Sequence, residues 1–186
     1  MPVSVSTSRL PLLDRSDVSP ESAPIFDEFI ARRGVVPNMF RVWAHSPALL
    51  KQVAPLSWVL LDEGALNGRY KELISIYVSR LEHCEYGVKA HQVQALRKGA
   101  SPEELEALGS PEQGPFSEGE KMGFVYAERI CRGAEAVDDE FFEALRRHFT
   151  EPQIVELTAT VTAIIFLTRF ITTLRIPVTK LPSAGL

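Results

Sequence analysis

Residues 69–99 read RYKELISIYVSRLEHCEYGVKAHQVQALRKG, two helical segments in series joined near Glu82–His83. The first sets Leu73, Ile76, Tyr77 and Leu81 at helical spacing, an apolar stripe of the kind that buries against neighbours. Glu72, Ser75 and Ser79 fall on a different stripe, which frees Glu72 from pointing into the apolar face. The second segment begins at or just before Cys84. At about 100° per residue, Cys84, Val88, His91 and Ala95 share one side, with Gly87 at its margin. Tyr86, Lys89, Val93 and Arg97 share the other. Gly99 then supplies a stop, and Ser101-Pro102-Glu103-Glu104 opens the next helix. A thiol in a helix's first turn, an imidazole two turns along and a glutamate twelve positions before the thiol mark a candidate site.

On either side the chain is punctuated into further helices. Ser19-Pro20-Glu21-Ser22 opens one that runs to Gly34, and others are expected over 37–44 and 47–61. Pro55 is expected to end the last early or to kink it. After Gly99 come a short helix over 102–108 and a Gly/Pro-rich loop. Ser117-Glu-Gly-Glu120 is a capping box for a helix reaching about Arg132. Segments 138–149 and 151–173 complete the set. No alternating strand segment exceeds four residues, so the fold class is all-α with seven to nine helices. The organisation is a single domain over 1–186, whose first 20 residues, with Pro2, Pro11 and Pro20, form an extended arm on a surface. Glu156-Leu-Thr-Ala-Thr-Val echoes Glu72-Leu-Ile-Ser-Ile-Tyr, a pattern that duplication of a helical unit would leave.

Composition bounds the function. The 186 residues are 45% hydrophobic and 24% charged, as in folded globular chains. A net charge of −4 without a Lys/Arg cluster argues against nucleic-acid and anionic-membrane partners. Cys84 and Cys131 are too few for a disulfide framework, and His83 and His91, eight apart, do not make a zinc pair. No phosphate loop, metal cluster or Ser-His-Asp pattern stands out, so neither metal nor cofactor is expected. The start, MPVSVSTSRLPLL, lacks the pattern of a signal peptide. The most apolar window, Leu157 to Leu167, is shorter than the ~20 residues that cross a bilayer and reads as a buried helix. The expected compartment is a reducing cytoplasm.

Glu72-x11-Cys84-x2-Gly87-x3-His91 resembles the signature of the alkylhydroperoxidase D (AhpD) and carboxymuconolactone decarboxylase superfamily. Gly34-Val-Val-Pro37-Asn38-Met-Phe40-Arg41 and Ala44-His45-Ser46-Pro47-Ala48-Leu49-Leu50 are similar to its peroxidase-related branch. So is the closing pattern Glu156-Leu157 … Arg169 … Leu174-Arg175-Ile176-Pro177. The resemblance implies an all-helical, internally duplicated fold that assembles into homo-oligomers (dimer, trimer or hexamer). It implies Glu72 as base, a relay group, a peroxide-attacking cysteine and a second cysteine that closes a disulfide. Here Gly87 stands where the second cysteine belongs and Tyr86 where a relay histidine belongs.

Three readings follow. In the first, a thiol-dependent, peroxiredoxin-like antioxidant enzyme reduces hydroperoxides at Cys84, recycled by an external thiol, with Glu72 as base and His91 polarising. A thiolate attacks peroxide and a thiol does not, so the partial positive charge of a helix N-terminus favours the reactive form, while Glu82 and Glu85 oppose it. A buried Glu72 with a raised pKa suits a general base. Gly87 would leave a notch for a small molecule between Cys84 and His91, and His83 would neighbour the thiol. In the second, a cofactor-free decarboxylase-like enzyme uses Glu72 and His91 on a small carboxylated or lactone substrate. The third is a non-catalytic relative. His45 is expected to fasten a helix end.

Overall fold

The computed structural model describes residues 8–180, and helix α4, Gly68–Leu81, lies almost wholly inside it. Ten of its fourteen residues are buried. Among the described residues there are nine α-helices, two single 3₁₀ turns and no strand, as an all-α chain requires. They are α1 Ala23–Arg33, α2 Asn38–Trp43, α3 Pro47–Leu61, α4, α5 Glu85–Arg97, α6 Pro102–Ala107, α7 Glu118–Arg132, α8 Asp139–Leu145 and α9 Glu151–Leu174. The chain divides into two compact units, one of residues 60–170 and one of residues 1–59 with 171–186.

In unit 60–170 the core gathers on α4. Leu73, Ile74, Ile76 and Val78 are fully buried and meet Phe124 of α7 and Leu157, Val161 and Ile164 of α9. The Tyr70 and Tyr77 rings set their edges against Phe124, and the Tyr70 hydroxyl donates to the Glu120 carbonyl over 2.8 Å. Capping boxes start α6 at Ser101 and α7 at Ser117. Arg69 donates to both box glutamates, Glu104 and Glu120, so one guanidinium ties α4 to the starts of two helices. Helix α9, at 24 residues and mean hydropathy 1.8, passes the length and composition test for a membrane span, yet 44% of that window is buried. It outruns the Leu157 to Leu167 window because residues 151–156 and 168–174 continue the helix at either end.

The other unit centres on Phe29, whose ring lies 4.3 Å from Phe40 and 5.3 Å from Trp58. Asn38 Nδ2 donates to the Pro177 carbonyl, 3.1 Å away. The described part of the N-terminal arm is held without forming a helix. Arg41 donates to the carbonyls of Leu12 and Leu13, and His45 Nε2 to that of Pro11, 2.9 Å away. His45 therefore fastens the arm rather than a helix end. Residues 1–7 of that arm lie outside the described residues. Helix α3 runs through Pro55, which is exposed, as is Lys51 one turn before it.

Candidate active site

The chain reverses between α4 and α5 in three residues. Glu82 caps α4, His83 takes the left-handed conformation with φ 54°, and Cys84 returns to extended backbone with φ −104° and ψ 92°. The Cys84 N–H donates to the Ser79 carbonyl over 2.8 Å. Cys84 is thus the N-cap of α5, one residue before its first turn. Its side chain makes no capping hydrogen bond, so the sulfur is not committed to the helix's own N–H groups. It is only 3% exposed. The acids beside it are each held by a cation, Glu82 by Arg169 at 3.1 Å and Glu85 by Lys89 at 2.6 Å. Their opposition to a charged sulfur is reduced accordingly.

Glu72 is fully buried. Partners make this affordable. Its Oε2 accepts from His91 Nδ1 over 2.7 Å, and its Oε1 from Lys98 Nζ over 2.8 Å. Lys98 Nζ also donates to the Leu61 carbonyl. Burial pushes the Glu72 carboxyl up, but the His91 hydrogen bond and charge, with Lys98, outweigh it and hold the group below its ordinary value. The raised value expected of a general base is overturned. An ionised carboxylate can only accept, so the hydrogen sits on His91 Nδ1 and leaves Nε2 as the ring's working nitrogen. The His91 and Lys98 side chains are 15% and 23% exposed, so solvent meets the imidazole and the ammonium of the cluster and not its carboxylate.

Glu72 and His91, nineteen residues apart in sequence, are brought into contact. His91 stands two turns along α5 from Cys84, roughly 10.5 Å by helical rise. The notch expected at Gly87 is filled. A Cβ there would stand 2.3 Å from Ser79 Oγ and 2.9 Å from Ser79 Cβ. Ser79 Oγ is buried and without a hydrogen-bond partner. Tyr86 is 6% exposed, whereas Lys89 and Arg97 on the same side of α5 are exposed. His83 is exposed on the reversal. Cys131 is a free thiol pushed up to about 11, by burial first and then by Glu82. Sequence reasoning missed Lys98, although it lies seven residues past His91 and so on the same side of α5. Among the described residues no cluster of side chains suits a metal ion.

Residues 47–111, which include Glu72, Cys84 and His91, match the model of the carboxymuconolactone decarboxylase family. The Escherichia coli (strain K12) protein YnjA is 27% identical over 128 residues, 68% of this chain and 70% of that protein. A peroxidase-related protein from Ralstonia eutropha JMP134, described as an alkylhydroperoxidase AhpD core, superposes with a TM-score of 0.85 at 22% identity, covering 93% of each chain. The debrominase Bmp8, solved as a cysteine-to-alanine variant with 2,3,4-tribromopyrrole, gives 0.77 at 20% identity over 96% of this chain and 93% of its own. These solved structures share the fold.

Proposed function

Since the chain carries a carboxymuconolactone decarboxylase family segment within an AhpD-like helical fold, we propose that it is an enzyme that reduces a small hydroperoxide through one cysteine, Cys84. The observation that carries this is the buried Glu72–His91 hydrogen bond of 2.7 Å, on the helix whose N-cap two turns earlier is a thiol with its sulfur free of capping. Glu72 is the fixed anion that orients the ring, and His91 Nε2 exchanges protons with the substrate. The Cys84 thiolate attacks the outer peroxide oxygen and the O–O bond breaks. Sulfur is oxidised to the sulfenic acid, and the alkoxide leaves as an alcohol with the proton that His91 Nε2 took from the Cys84 thiol. A substrate or water molecule bridges the two turns between sulfur and ring. An external thiol then attacks the sulfenic sulfur, releasing water, and a second thiol frees Cys84 from the mixed disulfide. Cys131, held as a thiol, is a poor candidate for that second step.

The test is hydroperoxide turnover with dithiothreitol as reductant, alongside alkylation of Cys84 by iodoacetamide with Cys131 as internal control. Cys84→Ser should abolish turnover, and His91→Gln should lower it by about 10²–10⁴-fold. Cys84 should be alkylated far faster than Cys131 near neutral pH. Equal, slow alkylation of the two thiols overturns the proposal.

The Glu72–His91 pair is complete without sulfur, and this favours a second reading: proton transfer on a small carboxylated or lactone substrate. In that case Cys84→Ser is tolerated and His91→Gln is not. Because a debrominase shares the fold, a brominated pyrrole belongs in the same assays. Exposed Val155 and Phe166 on α9, at 67% and 52%, support self-association into a homo-oligomer, to be measured by light scattering. A reducing cytoplasm suits a thiol-recycled site.

A further inference from the structure

Lys98 has no task in the reaction just described, yet its placement is built in detail. It is the C-cap of α5. From there its side chain turns back so that Nζ lies between Glu72 Oε1, at 2.8 Å, and the carbonyl of Leu61, the last residue of α3. The stem passes the first residue of α4, Gly68. A Cβ at Gly68 would stand 2.9 Å from Glu63 Oε1, 3.1 Å from Lys98 Cδ and 3.3 Å from the Leu61 carbonyl oxygen, so this glycine leaves the lane that the lysine uses. Two features that are separate in sequence, a lysine past the end of one helix and a glycine at the start of another, thus meet along the lysine stem that reaches Glu72. The charged groups that face Glu72 are His91 from α5 and Lys98 from its end. Without Lys98, Oε1 of a side chain 1% exposed loses its charged donor, and the carboxyl then takes up a proton or swings off His91.

We propose that Lys98 is a positioning residue, which holds Glu72 ionised and aligned so that His91 alone exchanges protons with the substrate, and that Gly68 keeps its path open. This rests on the Glu72–His91 reading of the site and specifies which group the proton visits. The test is a pH titration of Glu72 by carbon-13 NMR of the side-chain carboxyl, with nitrogen-15 NMR of His91 to follow its tautomer, on the full chain. In Lys98→Met the Glu72 titration should move up by at least one pH unit, a tenfold gain in proton affinity. The acid limb of the turnover profile should move with it, and the His91 Nδ1–H tautomer should lose population. Lys98→Arg should recover most of the shift. Gly68→Ala removes no charge, yet should move the titration in the same direction by a smaller amount. An unmoved Glu72 titration in folded Lys98→Met overturns the proposal. If that variant does not fold, Gly68→Ala decides: a shift supports the role and no shift overturns it. The titration needs no turnover, so a shift in a protein that reduces no hydroperoxide sinks the peroxidase reading and leaves Lys98 in its role.

Discussion

A buried lysine is costly unless an anion and a carbonyl receive it, and Lys71 has both. It is 1% exposed, with Nζ 2.7 Å from Glu156 Oε2 and 2.9 Å from the Asp62 carbonyl. Glu156 also accepts the N–H groups of Ala65 and Leu66 at 2.9 and 3.0 Å. Burial works against its charge, but the Leu66 and Ala65 bonds and Lys71 win and hold its carboxyl at about 2. Glu156→Gln leaves an ammonium buried without its anion and should cost about 3 kcal/mol, read as a lower urea midpoint. Adding Lys71→Met removes the stranded charge, so the double variant should be more stable than Glu156→Gln alone. The seven-residue step from Cys84 to His91 along α5 was legible in the sequence because helical spacing fixes where each backbone position sits, whereas the contact of Glu72 with His91 between two helices was not. Lys71, Lys98 and their partners were not. A lysine's four-carbon stem reaches across elements, and periodicity does not say which acid it chooses.

Caps and glycines made most elements legible, since Gly34 and Gly99 take the left-handed φ values of 74° and 91° just where the helices stop. Pro55 does not end α3 early, since the helix continues past it to Leu61. What sequence could not give is how closely α4 approaches α5. At that crossing Gly87 abuts Ser79, so the glycine is a packing requirement as well as a missing cysteine. Gly87→Ala forces a Cβ to 2.3 Å from Ser79 Oγ and should lower stability by about 1–3 kcal/mol. Ser79→Ala alone deletes a buried hydroxyl with no partner, and should leave the melting temperature unchanged or raise it. Combined, Ser79→Ala should offset part of the Gly87→Ala loss, because the nearest clash is with the deleted oxygen. The Ser79 Cβ remains at 2.9 Å, so recovery should be incomplete. Strictly additive losses would show that the two side chains do not meet.

Over the whole chain, buried charge sets where in pH the fold is stable. Burial raises the carboxyls of Glu72, Glu104, Glu120 and Glu156, yet bonds to cations and backbone N–H groups leave all four below their ordinary values. Groups depressed in the fold contribute stability that is full above the unfolded carboxylate value of about 4.3 and is lost as pH falls through the folded values. The alkaline side runs the other way. Burial first, and then nearby acids, lift the Cys131 thiol to about 11 and the Tyr77 phenol to about 12. Each contributes stability that is full below its unfolded value, about 8.5 for cysteine and about 10 for tyrosine, and is lost as pH rises toward the folded value. The urea midpoint should therefore be flat between about pH 5 and 8 and should fall on both sides. Cys131→Ala should delay the start of the alkaline fall to about pH 10 and leave the acid side alone. Glu156→Gln should flatten part of the acid fall and leave the alkaline side alone. In the sequence Cys131 counted only as one of two cysteines too few for a disulfide framework. In the fold burial first, and then Glu82 and Glu128, make it a group that resists ionisation. An alkaline fall that starts near pH 8.5 in both wild type and Cys131→Ala would show that this thiol is not what sets it.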